Sequence, residues 1–158
     1  MRCGLPPDIR KGPSMTMLRE AITMAALAHD GQTDKAGAPY IFHPLRVAST
    51  FSDATLQTIA VLHDVVEDTA LTLSDLDAHF PQGIVNAVDA LTRRPGETYE
   101  DFIVRVGRNP IARQVKIADL RDNLRPGAPH LTTRYEKALS VLAEIDAGRA
   151  AQEKEPRE

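Results

Sequence analysis

One short segment of this chain concentrates residue types that suit metal-assisted chemistry. The segment TIAVLHDVVEDT, residues 58–69, contains His63, Asp64, Glu67 and Asp68. At about 100° per residue, these four side chains fall within about 140° on a helix, and the apolar residues fall on the other side. This polar face has three carboxylates and no lysine or arginine, whereas solvated helix faces commonly mix both charge signs. The pattern indicates either a metal site or a solvated acidic face.

Two residues elsewhere in the chain offer further ligands. Asp119 lies at the edge of the apolar stripe of PIARQVKIADLRDN, and Asn123 follows one turn later. A carboxylate beside an apolar face is costly unless it is paired or ligated, so Asp119 is expected in a salt bridge with arginine or on a metal. His43 stands where a loop meets a helix, a place that suits a structural histidine or a ligand.

Together, four residues from three segments supply two imidazoles and two carboxylates: His43, His63, Asp64 and Asp119. Mixed nitrogen and oxygen ligands without thiolate suit Mn²⁺, Fe²⁺ or Zn²⁺ better than Ca²⁺. Such a metal would also serve an anionic substrate. The spacing supports this hypothesis only if the three segments converge in space.

The elements that must position these residues are predicted to be helices. No segment shows sustained strand alternation, and Ala and Leu outnumber Val and Ile, so the predicted class is all-α. Short helices joined by short loops predict a compact bundle of about eight helices. The predicted helices are 15–29, one beginning near His43, 54–68, one beginning at Thr72, 82–93, 99–107, Asn109-Pro110 to about 124, and 132–148.

Length and composition limit the classes of function. The 158 residues fit one domain, for which we expect residues 14–149, between a disordered leader at 1–13 and a charged flexible tail at 150–158. A formal charge of −3 argues against a nucleic-acid partner, and no apolar run approaches the ~18 residues of a membrane span. The single cysteine, Cys3, excludes an internal disulfide, so a cytoplasmic protein is expected.

The motifs resemble those of the HD phosphohydrolase superfamily and, more narrowly, the hydrolase domain of the RelA/SpoT alarmone enzymes. The resemblance is carried by AHDGQTDKAGAPYIFHPLRVA, AVLHDVVEDT and VKIADLRDN, and it runs from about residue 18 to about residue 140. HD alone is a weak signal, but HDVVEDT with PYIFHP upstream is specific. The length leaves no room for the synthetase or regulatory domains of the long enzymes, so we expect a small stand-alone alarmone hydrolase.

The resemblance implies an all-α bundle with a central metal cleft that hydrolyses the 3′-pyrophosphate of (p)ppGpp to give GDP or GTP and pyrophosphate. It implies one Mn²⁺ per chain, held by His43, His63, Asp64 and Asp119. It assigns the catalytic acidic pair to Glu67 and Asp68, which would orient and deprotonate water. It also places Lys35, Asn123 and Arg134 near the nucleotide.

One position departs from the family pattern. Many members have an arginine immediately before the lysine of the first loop, whereas this chain has Asp34 before Lys35. A carboxylate there removes a stacking, phosphate-binding group and adds repulsion. Guanine and adenine alarmones, (p)ppGpp and (p)ppApp, therefore both stay candidates, as does another phosphorylated nucleotide such as NADPH. A non-catalytic alarmone-binding protein is a further alternative, and the oligomeric state is open.

Overall fold

The computed structural model describes residues 13–126 and 132–152, and every regular element in those ranges is a helix. The all-α prediction is therefore confirmed. The helices are α1 (Pro13–Ala28), α2 (Phe42–Ser49), α3 (Ala54–Leu62), α4 (Val65–Asp68), α5 (Leu73–Asp77), α6 (Gln82–Leu91), α7 (Tyr99–Arg108), α8 (Pro110–Asn123) and α9 (Thr132–Gln152). Of the predicted leader, only Pro13 is within the described residues, and of the predicted tail only 150–152 are.

The central element is α3, whose last five residues, 58–62, are all buried. Five consecutive residues cover every side of a helix, so this end of α3 lies within the core. Both α1 and α2 pack against it, and α6 and α8 cover its remaining sides. Because His63 directly follows this buried segment, its imidazole is carried into the interior, where it is only 2% exposed.

The predicted helix 54–68 is interrupted at its functional end. It consists of α3 and the short α4, with His63 and Asp64 as the turn between them. Asp64 adopts φ −104° and ψ −7°, in the sparsely populated bridge region between helix and strand where many active-site residues lie. The chain resumes a helical hydrogen bond from Asp68 N–H to the Asp64 carbonyl. The prediction of one continuous helix over 54–68 was therefore wrong at His63 and Asp64. The interruption adds one helix to the eight that were expected.

Side-chain caps define where several helices begin. Thr72 and Asp75 form the predicted capping box of α5. Thr98 accepts a hydrogen bond from the Asp101 N–H at the start of α7. Asn109 accepts from two backbone N–H groups of α8, whose first residue is Pro110, as the Asn-Pro pair predicts. The caps of α7 and α8 set the starting points, and therefore the registers, of two helices that line the cleft described below.

The loop between α6 and α7 is held by one arginine. Arg105 donates a forked pair of hydrogen bonds to the Glu97 carboxylate, at 2.7 and 2.8 Å, and two more to the carbonyls of Ala90 and Thr92. The bond from Arg105 is the main cause that lowers the pKa of Glu97 to about 2. This loop contains Arg93, so the Arg105–Glu97 pair helps to hold in place a basic residue of the cleft described below.

The last helix packs on α7 and α8. A Cβ on Gly107 would overlap the Ile145 side chain, so the missing side chain lets α9 approach α7 closely. Arg113, which is buried, donates to the Gly107 carbonyl and to Asp146, which links α8 to α9. Among the described residues, no helix is long and apolar enough to cross a membrane.

We expect Asn109→Ala to destabilise the protein by about 1 kcal/mol, because two N–H groups at the start of α8 lose their acceptor. Urea unfolding of the metal-stripped protein measures the change. Asn86→Ala, on the exposed face of α6, is the matched control and should cause no loss of stability. Equal effects of the two substitutions would contradict the capping role.

We expect Glu97→Gln to cost roughly 1.5 kcal/mol at pH 7, the low end for a hydrogen bond between charged groups. The folded-state pKa of Glu97, about 2, lies below its ordinary value of 4.5, so its contribution is full above pH 4.5. The difference from wild type should therefore shrink as pH falls from 4.5 towards 2. Urea midpoints measured across this range, with exposed Glu144→Gln as control, test the prediction. A difference that does not change with pH would contradict it.

Candidate metal centre and active site

Three parts of the fold meet at one buried point. His43 lies in the first turn of α2, His63 and Asp64 form the turn that ends α3, and Asp119 lies on α8. The ligand atoms of His43, His63 and Asp119 all lie within 4.8 Å of one another, which suits a shared metal ion. The segments that the sequence hypothesis required to converge are therefore adjacent.

The two imidazoles face the two carboxylates through their Nε2 atoms. His43 Nε2 lies 3.1 Å from Asp119 Oδ1, and His63 Nε2 lies 3.0 Å from Asp64 Oδ2. The crossed distances are 3.6 Å for His63 to Asp119 and 3.7 Å for His43 to Asp64. Each Nε2 atom thus lies within 4 Å of both carboxylates. This arrangement resembles four ligands around a common centre more than two separate ion pairs.

The other nitrogen of each imidazole is occupied, which tests whether the cluster fits a metal. His63 Nδ1 lies 2.7 Å from the Ala60 carbonyl, and His43 Nδ1 lies 2.7 Å from Asp122 Oδ2. Both acceptors require a proton on Nδ1, so in the neutral form of each ring the lone pair that can bind a cation is on Nε2. Among the described residues, the buried His63 Nε2 has no well-aligned hydrogen-bond partner. The residues fit a divalent metal ion.

The electrostatics of the cluster also favour a cation. Burial raises the pKa of Asp64, but the adjacent His63 outweighs it, and the pKa falls to about 2. For Asp119, burial is likewise outweighed, first by Lys116, and its pKa is well below the usual range. Burial lowers the pKa of His43, yet its hydrogen bond with Asp119 leaves it raised. The two carboxylates are held ionised and draw positive charge to the site.

Asp119 has two further partners on its own helix. Lys116 Nζ donates to Asp119 Oδ2 at 2.8 Å, and Asn123 Nδ2 donates to Oδ1 at 2.6 Å. Asp119 therefore has a salt bridge as well as its place in the cluster, and the cation is lysine rather than the arginine considered above. Asn123, predicted to lie near the nucleotide, orients this carboxylate and also lines the cleft.

A cleft of about 230 Å³ opens above the cluster. Its walls are polar and contain three basic side chains, Arg93, Lys116 and Arg134. The residues that line it are Tyr40, His43, Asp64, Glu67, Arg93, Tyr99, Phe102, Lys116, Asp119, Asn123, Arg134 and Tyr135. Carboxylates that can hold a cation lie beside cations that can bind an anion, so the cleft suits a phosphorylated substrate.

The two carboxylates of the predicted catalytic pair have different surroundings. Glu67 lines the cleft and accepts a hydrogen bond from the Arg93 N–H at 2.9 Å. Asp68 is not among the lining residues, and its Oδ2 lies 3.5 Å from the Tyr40 hydroxyl. Partial burial and the nearby charges of Asp64 and Glu67 raise the pKa of Asp68. The structure thus brings Glu67 to the cleft and leaves Asp68 beside it.

The predicted nucleotide-binding residues are placed unequally. Arg134 enters the cleft from the first turn of α9, with its guanidinium carbon 3.6 Å from the centre of the Tyr99 ring. This cation–π contact holds a positive charge over the cleft. Lys35 is exposed in the α1–α2 loop and does not line the cleft.

Asp34 is engaged within its own loop. Its Oδ1 accepts hydrogen bonds from the N–H groups of Ala36 and Ala38, and its Oδ2 lies 3.5 Å from Arg125 Nη2. The carboxylate therefore stabilises the turn and attracts a guanidinium from the end of α8. The loop that lacks the family arginine has a different arginine beside it.

Sequence reasoning missed several residues in and around the site, among them Arg93, Tyr40, Lys116 and Asp122. Tyr40 donates a hydrogen bond to Asp64, and burial followed by the charge of Asp64 raises its pKa, so it remains a donor. Lys116 and Asp122 each lie three residues from Asp119, a spacing that brings side chains together on a helix and could have revealed them. Tyr40 lies within the PYIFHP motif, but nothing in the sequence paired it with Asp64, 24 residues further along the chain.

Comparison with known proteins identifies the family. Residues 21–121 match the family model described as HD domain, which is well over half of the chain. A guanosine-3′,5′-bis(diphosphate) 3′-pyrophosphohydrolase of Vibrio cholerae is 33% identical over 129 residues, which is 72% of this chain and 18% of that protein. The bifunctional (p)ppGpp synthase/hydrolase SpoT of Escherichia coli K12 is 31% identical over 123 residues, 68% of this chain and 18% of the relative.

The chain thus spans about a fifth of the curated relatives it matches. A solved structure of similar size is described as a metazoan orthologue of SpoT that hydrolyses ppGpp and plays a role in starvation responses. It superposes with a TM-score of 0.66 at 23% identity, covering 88% of this chain and 98% of the other, and it shows a shared fold. The matched range includes His43, the His63-Asp64 pair and Asp119, and the chain belongs to the HD domain family.

Proposed function

We propose that this chain is a metal-dependent hydrolase that removes the 3′-diphosphate of a nucleotide alarmone, (p)ppGpp or (p)ppApp. The products are GDP or GTP, or ADP or ATP, together with pyrophosphate. The observation that carries the proposal is the His43, His63, Asp64 and Asp119 cluster at the floor of a cleft with basic walls. The names of the Vibrio and Escherichia relatives support the same reaction class.

The donor set supports one divalent transition metal per chain, and we propose Mn²⁺. The metal would polarise a water molecule and offset negative charge on the diphosphate. We propose 14–149 as the hydrolase domain and the cytoplasm as its location, since Cys3 is the only cysteine.

The side chains around the cluster have distinct proposed roles. Lys116, Arg93 and Arg134 neutralise the diphosphate and hold its phosphorus facing the floor of the cleft. Glu67, which lines the cleft, takes a proton from the attacking water. The water oxygen forms a bond to the phosphorus attached to the 3′-oxygen. The bond between that phosphorus and the 3′-oxygen breaks. Asp68, with its raised pKa, supplies the proton that the leaving 3′-oxygen requires.

A second candidate is an HD phosphohydrolase acting on a different phosphorylated nucleotide such as NADPH. The observation that favours it is Asp34, which puts a carboxylate in the loop where the family arginine would stand. The third alternative, a non-catalytic alarmone-binding protein, is disfavoured by Glu67, which lines the cleft beside the cluster as a water-activating group would. Lys35, outside the cleft here, remains a proposed nucleotide contact.

We expect metal-stripped protein to release no pyrophosphate from ppGpp or ppApp, and added Mn²⁺ to restore release. Asp64→Ala should lower kcat/KM by more than the roughly 10–100-fold typical of residues that only orient metal ligands. Exposed Asp77→Ala on α5 is the matched control and should retain activity. Metal-independent release would contradict the proposal. Release from neither nucleotide, with turnover of NADPH, would favour the second candidate.

We expect Glu67→Gln to lower kcat by ~10²–10⁴-fold while the Kd for Mn²⁺ stays unchanged, because it removes the proton acceptor and no proposed ligand. Steady-state kinetics and Mn²⁺ titration calorimetry measure the two effects. Glu144→Gln, exposed on α9, is the control for loss of a carboxylate elsewhere. A Glu67→Gln protein with wild-type kcat would remove Glu67 from the reaction.

A further inference from the structure

His43 lies between two carboxylates from the same helix. On one side its Nε2 faces Asp119 Oδ1 at 3.1 Å, and on the other its Nδ1 lies 2.7 Å from Asp122 Oδ2. Asp119 and Asp122 are three residues apart on α8, so their side chains lie on the same face of that helix and can contact the same ring. Asp122 lies outside the cluster of candidate ligands and outside the set of residues that line the cleft.

Two guanidinium groups hold the Asp122 carboxylate in place. Arg46 Nε donates to Oδ1 and Arg46 Nη2 to Oδ2, both at 2.9 Å, and Arg125 Nη1 donates to Oδ2 at 2.7 Å. Both oxygens of Asp122 accept hydrogen bonds from guanidinium groups, which have no acceptor atoms, so this carboxylate also acts as the acceptor towards His43. The proton between Asp122 and His43 therefore belongs to His43 Nδ1. In the neutral ring, the Nε2 lone pair then points to the cluster of candidate ligands.

The second histidine of the cluster is oriented differently. His63 Nδ1 donates to the carbonyl of Ala60, a neutral acceptor within the same turn of helix. Of the two histidines, only His43 has a carboxylate partner, which itself accepts three hydrogen bonds from guanidinium groups. A carboxylate acceptor makes the opposite ring nitrogen a more basic metal ligand. Arg125 also reaches Asp34 at 3.5 Å, so the support of His43 extends to the α1–α2 loop.

We propose that Asp122 is a positioning residue that fixes His43 as an Nε2 ligand and strengthens its bond to the metal ion. Arg46 and Arg125 act through Asp122 by holding its carboxylate against the ring. The inference rests on the proposed metal-dependent function, but it concerns metal affinity and the site of a proton rather than turnover.

The test compares Asp122→Asn with wild type and with exposed Asp77→Asn as the matched control. The Asn side chain keeps the shape but loses the negative charge. Titration calorimetry of the metal-stripped proteins with Mn²⁺ should show a Kd about 10–100-fold weaker for Asp122→Asn. The Kd of the control should equal that of wild type. A Kd for Asp122→Asn within twofold of wild type would overturn the proposal.

A second readout needs no metal. Nitrogen-15 NMR of the neutral His43 ring should show the proton on Nδ1 in wild type and a mixture of both tautomers in Asp122→Asn. Unchanged tautomers would overturn the proposal even if affinity fell, because the loss would then be merely structural. If wild type binds no Mn²⁺, the proposed function fails, and the NMR result still decides the role of Asp122. Should Asp122→Asn not fold, Arg46→Gln is used, and an unchanged Mn²⁺ Kd for that variant overturns the proposal.

Discussion

Four ionisable groups sit at the centre of a helical bundle, and the cost of removing them from water governs their surroundings. An unpaired buried charge costs several kcal/mol, so each group needs a partner. Asp119 has Lys116 and Asn123, and Asp64 has the Tyr40 hydroxyl. Asn123 and Tyr40 donate to the same oxygens that face the histidines, Oδ1 of Asp119 and Oδ2 of Asp64. A carboxylate oxygen has two lone pairs, so each can still bind a cation. The arrangement is stable enough to exist in a core and still open to a cation.

The scaffold explains why these groups are so well placed. Helix α3 is buried along its last five residues, and it ends where His63 must enter the interior. The break at Asp64 turns the following carboxylates away from the path of a continuous helix, so that Glu67 reaches the cleft while Asp68 lies beside Tyr40. One short interruption therefore gives the carboxylates of one acidic face different surroundings.

The floor of the cleft lies within the HD domain match, and part of its wall lies outside that match. The HD domain match ends at residue 121, after Asp119 and before α9. Arg134 and Tyr135 on α9 line the same cleft, and Arg134 is stacked on Tyr99. The Gly107–Ile145 approach and the Arg113–Asp146 ion pair hold α9 there. The four candidate metal ligands thus lie within the family match, whereas two residues of the cleft wall lie outside it.

Local patterns in the sequence were sufficient for the helical class, for the Thr72 and Asn109 caps and for the choice of His43, His63, Asp64 and Asp119 as a candidate set. These features depend on periodicity and on residue chemistry, both of which act over a few residues. The break at Asp64, the Tyr40 hydrogen bond and the bracketing of His43 by Asp122 were decided only by the tertiary structure. They arise because residues 24 to 79 positions apart are packed together, and burial then determines which partner each polar atom must take.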